Sequence, residues 1–219
     1  MAHMNSLTYA PSKTPRAAAI AGILFAVLLI IVFWLLRRSV PADPREPGSW
    51  LKGNSEAVTL ALNLVPFAGI AFLWFIGVLR ERLGEAEDRF FATVFFGSGV
   101  LYLGMLFSAA ALIGALILAF AAQPEEFIDS ATFHFARAAA YNMVNIYLTK
   151  MASVFVMTTS TVAIYTGLTS RWLAFLGYGM SLFLLFGSYY FGFGFIVFPL
   201  WVLVISVHIL FDDIRRRPP

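Results

Sequence analysis

Two stretches of this chain, Ala17 to Leu36 and Phe91 to Ala122, run without a single charged side chain, and that feature constrains the fold more than any other. A helix of a water-soluble domain alternates its apolar stripe with a charged face. Uninterrupted runs of this length suit only a surrounding as apolar as they are. A helix needs about twenty apolar residues to cross the hydrocarbon of a bilayer, with roughly 17 to 25 tolerated. The composition points the same way, with 60% of residues hydrophobic and 12% charged, half the charge of an ordinary soluble domain. A water-soluble fold is excluded, and the expected fold class is all-α: a polytopic transmembrane helix bundle forming a single domain over 1–219.

By the same ruler six spans are expected, near 17–36, 57–79, 91–122, 137–168, 172–187 and 195–211. The third is longer than one crossing requires, which predicts tilt or a protruding end. From Trp172 to Phe211 the apolar stretch is too long for one helix, so a tight hairpin is expected at Gly187 to Gly194, where glycines favour turns and Tyr189 and Tyr190 suit the interface. Residues 1–16 read as a flexible lead-in, with Met1 to Met4 a cloning remnant. The Ala17–Leu36 run is too long for a signal-peptide core and is followed by Arg37-Arg38, so it is expected to remain as the first span. Ser39 to Ser55, rich in proline, is expected to be irregular, with Trp50 at headgroup level.

Lys and Arg in the connecting segments set orientation. With the N-terminus inside, Lys13, Arg16, Arg80, Arg82, Arg89, Arg171 and Arg215 to Arg217 fall on the cytoplasmic side, against Arg37, Arg38, Arg45, Lys52 and Arg137 outside. This bias favours both termini in the cytoplasm. A five-span arrangement would place Arg215 to Arg217 on the outer side, so an even number is expected. Arg37-Arg38, at the outer end of the first span, departs from the bias.

Whole classes of chemistry fall away. There are no cysteines, which removes disulfides, thiolate nucleophiles and Cys-ligated metals. The net charge of +3 is spread over loops, not gathered in a basic stripe, so no nucleic-acid partner is expected. Gly97, Gly99 and Gly104 follow no strand and form no nucleotide fingerprint, and phosphate-loop, zinc-protease and serine-hydrolase motifs are missing. No cofactor and no metal site is implied. His134 with Glu125, Glu126 and Asp129 reads as a solvated charged loop.

The fourth span carries the polarity that the others lack. His134, Arg137, Tyr141 and Asn145 step by three or four residues and share one helical face, with Tyr147, Lys150 and Ser153 on a neighbouring one. Lys150 falls near mid-span, where a lysine costs about 2.5 to 3.5 kcal/mol on insertion scales. It reads either as a positive site facing a cavity, for an anion or a proton, or as a lysine satisfied by Tyr, Asn, Ser or a backbone carbonyl. Asn63 in the second span completes the candidate set, with helix packing as its alternative role. Ala18, Gly22 and Ala26, at helical spacing, describe close helix approach.

The segment Thr166-Gly167-Leu168-Thr169-Ser170-Arg171-Trp172-Leu173-Ala174-Phe175-Leu176-Gly177-Tyr178 resembles one recurring in small bacterial, actinobacterial-like polytopic inner-membrane proteins of unknown function. In those an arginine often follows proline, where this chain has Ser170. The resemblance implies a location in a bacterial inner membrane and brings no activity and no functional residues. Three functions are compatible with the sequence. A transporter or channel-like protein would line a path for a small or anionic solute with the fourth span. An accessory or scaffold subunit would use the same helix to bind a membrane-protein partner or a second copy within the lipid bilayer. A membrane-embedded enzyme has the least support, because no nucleophile and base pair is evident.

Overall fold

A computed structural model describes residues 14–83, 89–166, 170–187 and 193–215. Among them every regular element is helical: α1 (Thr14–Ser39), α2 (Trp50–Leu83), α3 (Arg89–Ala122), the short α4 (Pro124–Phe127), α5 (Ala131–Asn142), α6 (Thr149–Thr166), α7 (Arg171–Leu182) and α8 (Gly194–Arg215). A π-helical segment, Met143–Leu148, joins α5 to α6 into one rod, and a second, Phe183–Gly187, continues α7.

Four of these helices are long and apolar enough to cross a membrane, over Arg16–Ser39, Trp50–Arg80, Phe90–Ala122 and Gly194–Asp212. They make the chain a membrane protein built as a helical bundle. The two remaining expected spans are helical but stand apart. The rod from α5 to α6 is polar where the others are apolar, and Arg171–Gly187 is shorter than they are. The expected hairpin at Gly187 to Gly194 has its centre, 188–192, outside the described residues.

The helices pack without the aid of water exclusion, since lipid is as apolar as their side chains; close fit and buried polar contacts hold them instead. α1 lies between α2 and α8, while α3 packs on α2, α5 and α6, and α6 pairs with α7. One aromatic core joins five helices through Phe25, Phe72, Phe95, Tyr102, Phe155 and Phe198, each almost fully buried. Phe25 stacks on Phe72 with ring centroids 4.5 Å apart, and Tyr102 meets Phe198 at the same distance. Such pairs are each worth about 0.5 to 1.5 kcal/mol beyond the area they bury. Gly22 lets α1 approach α8 closely, because a Cβ there would fall well inside contact distance of Ser206 Oγ. Ala18 and Ala26, one turn to either side, are fully buried.

A second cluster, Trp50, Leu51, Val58, Ile113, Leu116, Phe127, Phe133 and Ala140, closes one end of the bundle. It corrects the reading of Ser39 to Ser55 as irregular throughout. The helix of α2 begins at Trp50, because Trp50 and Leu51 turn inward beneath Phe133 and Val58 while Lys52, Gly53 and Asn54 stay exposed. Trp50 is therefore a core residue and not a headgroup anchor. Trp34, Trp74 and Trp172 are the exposed tryptophans, and their amphipathic rings suit an interface.

Candidate functional site

The polar rod from Ala131 to Thr166 does two different things along its length. Its first half begins with a local cap: Ser130 Oγ accepts a hydrogen bond from the Phe133 amide at 3.1 Å, satisfying one of the free donors of the first turn. From that start, Arg137, Ala140 and Tyr141 on α5 and Val144 and Asn145 on the π segment form one wall of a cavity of about 190 Å³. The other walls come from Val32, Phe33, Leu36 and Arg37 of α1, Val40 to Ala42 of the following loop, Leu62 and Val65 of α2, Leu106, Ala109, Ala110 and Ile113 of α3, and Phe195 of α8. Polar groups are few and concentrated on Arg37, Arg137, Tyr141 and Asn145, and among the described residues no carboxylate lines the space.

Arg137 is the central group. It is only 7% exposed and donates from Nη2 to the Pro41 carbonyl at 2.5 Å. Among the described residues it has no ion pair, although Asp43 and Glu46 lie near enough for their charge to be felt. Asp43 instead accepts from Arg45, at 2.9 Å from the amide and 3.1 Å from Nε, which holds its carboxyl below the usual carboxylate value. A buried guanidinium with one carbonyl partner keeps most of its five N–H donors for something else.

Prolines in two neighbouring helices add acceptors. Pro66 and Pro199 each lack an amide N–H, so the carbonyls of Leu62 and Phe195, four residues earlier and both residues of the cavity wall, lose their usual helical partner. In the π segment the side chains adjust to the wider turn. Asn145 donates to the Tyr141 carbonyl at 3.0 Å, and Thr149 Oγ1 donates to the carbonyls of Asn145 and Ile146 at 2.8 and 2.9 Å.

The second half of the rod is a seam against α7. Lys150 Nζ donates to the carbonyls of Leu184, at 3.4 Å, and Leu185. Both carbonyls belong to the Phe183–Gly187 π segment that continues α7. Ser153 Oγ donates to the Ser181 carbonyl at 2.9 Å, and Ser181 Oγ returns a bond of 2.9 Å to the Ser153 carbonyl. Further along, Gly177 leaves room for Ser160, and Thr161 Oγ1 lies 2.7 Å from the Tyr178 hydroxyl. Small residues and reciprocal hydroxyl bonds of this kind hold helices together in lipid.

The sequence-derived candidates are thus separated. Arg137, Tyr141 and Asn145 share the cavity wall; Lys150 and Ser153 bind α7; Tyr147 and Asn63 are exposed on the outside of the bundle. His134 packs edge-on against Phe133 and is not part of the wall. Arg37 is the wall residue missing from the candidate set, and its one signal was the departure of Arg37-Arg38 from the expected charge bias. Among the described residues no group of three or more His, Asp or Glu side chains is placed to hold a metal ion. Comparison with protein-family models, with curated proteins and with solved structures finds no match.

Proposed function

We propose that this chain is a transporter or channel-like protein of a bacterial inner membrane that binds a small anionic solute in the cavity between α1, α2, α3 and α5. The observation that carries the reading is Arg137, a buried guanidinium without an ion pair, standing in the wall of a space large enough for a ligand. A buried charge with no carboxylate in direct contact is costly, and an anion in the cavity relieves that cost. In this reading the chain crosses six times, with both termini cytoplasmic. The rod of α5 and α6 crosses because its polar groups turn inward, and Arg171–Gly187 crosses at the lower limit of length. The cavity then opens toward the outer side, where Arg37 and the 40–49 loop lie.

The anion site in this proposal is Arg137 and not Lys150, whose ammonium is held by α7. The test uses the natural lack of cysteine. With Tyr141→Cys in intact cells, an impermeant thiol reagent added outside is expected to label, as is an Arg45→Cys control, while Lys150→Cys stays unlabelled. Silence at 141 beside a reactive control at 45 would sink the proposal.

An accessory subunit is the second reading, and one observation favours it. Asn63 lies within the apolar α2 helix yet is exposed, and an outward amide in lipid is best satisfied by another helix. Co-purification of a partner that is lost in Asn63→Leu would support this reading.

A further inference from the structure

The chemistry of the cavity narrows the kind of anion, an inference that rests on the solute-binding reading above. Size comes first. A dry cavity of about 150 Å³ accepts benzene, and the space here is about 190 Å³. It therefore holds one ring or a short branched chain plus a few atoms. The space is open on one side, so a nucleotide or an entire phospholipid would have to leave most of itself outside.

The walls come second. Val32, Phe33, Leu106, Ala109, Ile113 and Phe195 line it with apolar side chains. An inorganic anion pressed against such walls loses its hydration and gains little in exchange. A neutral apolar molecule would fit the walls but leave Arg137 buried with no carboxylate in direct contact. Both requirements are met by a ligand that is apolar over most of its surface and negative at one end.

The position of the charge comes third. Arg137 is tied to Pro41, and Arg37 lies one helical turn before Pro41, so both guanidinium residues belong to the loop end of the cavity. The planar fork of a guanidinium matches a carboxylate through two parallel N–H donors. Arg137 spends one donor on Pro41, which leaves a pair for the ligand.

We propose that the cavity is a binding site for a small amphiphilic carboxylate of the size of a monocyclic aromatic acid. Its carboxylate pairs with Arg137, its apolar body lies between α1, α3 and α8, and Arg37 stands at the mouth.

The test measures ligand-dependent thermal stabilisation of the purified protein in nanodiscs, with phenylacetate as the probe. The comparison ligands are 2-phenylethanol, the neutral analogue, and inorganic phosphate, a compact anion. Saturable binding of phenylacetate is expected, with both comparison ligands at least about tenfold weaker, as for the loss of a charged hydrogen bond. Arg137→Gln is expected to lose about tenfold or more and Arg137→Lys to recover part of it. Ala109→Phe, which fills the space, is expected to abolish binding. The ligand comparison on the unmodified protein decides the matter even where a variant fails to fold. Equal binding of 2-phenylethanol would overturn the proposal in favour of an apolar pocket. Loss of phenylacetate binding when the nanodisc lipid is changed from zwitterionic to anionic would overturn it in favour of a lipid site. Phosphate binding as tightly as phenylacetate would overturn the carboxylate assignment while leaving the anion-binding reading in place. Failure of every ligand, together with no labelling at 141, would remove both.

Discussion

The two halves of the Ala131–Thr166 rod carry similar polar side chains and put them to opposite uses. In α5 and the π segment, Arg137, Tyr141 and Asn145 border open space. In α6, Lys150 and Ser153 are occupied by α7, and Thr161 lies against Tyr178. The difference lies in the partner and not in the residue. A lysine at mid-span is the more conspicuous sign of function in the sequence, but backbone carbonyls of the neighbouring α7 rod satisfy it. The arginine nearer the end has one carbonyl and a cavity. Polarity inside a membrane bundle marks a site only when its hydrogen-bonding capacity is left over.

This contrast can be broken most severely at the joint. Inserting one alanine between Thr149 and Lys150, where the rod is regular α-helix, is expected to rotate α6 by about 100° relative to α5, one residue of a helix with 3.6 per turn. Either the seam or the cavity wall must then be lost. Disulfide formation in Ser153→Cys/Ser181→Cys and thiol labelling of Tyr141→Cys report on the two regions, and retention of both would contradict the division. Gly177→Leu attacks the seam alone. Overpacking against Ser160 is expected to cost about 1 to 3 kcal/mol in thermal or denaturant unfolding, with labelling at 141 preserved.

Lys150→Met is expected to destabilise by about 1 to 3 kcal/mol, because the Leu184 and Leu185 carbonyls lose their donor. Its anion binding should match that of the unmodified protein. A variant that is stable but no longer binds would return Lys150 to the site. A double-mutant cycle on Ser153→Ala and Ser181→Ala should give a coupling of about 0.6 kcal/mol, the average for such pairs in membranes. The smallest effect concerns the loop. The Asp43 carboxyl is held below its ordinary value of 3.8 by Arg45, so this contact is fully present above that pH and is lost as the pH falls through the lowered value. The pair is exposed, and Asp43→Asn is expected to leave the unfolding midpoint at neutral pH unchanged.

Much of the bundle was legible because charge-free runs have few physical solutions. The 17–36 and 91–122 runs lie within α1 and α3, and the structure lengthens the first at both ends and the second at its start. The start of α2 was hidden because Trp50 and Leu51 are drawn inward by Phe133, more than eighty residues away. Helical spacing placed Arg137, Tyr141 and Asn145 together correctly, since they precede or only enter the π segment. It could not show which face α7 would cover, nor that Lys150 would meet carbonyls, because backbone acceptors carry no residue code. Arg37 was visible only as a charge on the unexpected side.

The close contact of α1 with α8 bears on how the protein is made. The ribosome completes the surface around Gly22 early, while Ser206, which fills it, is added only after some 180 further residues. At roughly 5 to 20 residues per second that interval is about ten to forty seconds. During it the first helix must stay in the membrane with its groove unfilled, held by its packing on α2. The α1–α2 hairpin is thus the natural waiting state of biogenesis, and α8 closes the bundle on it.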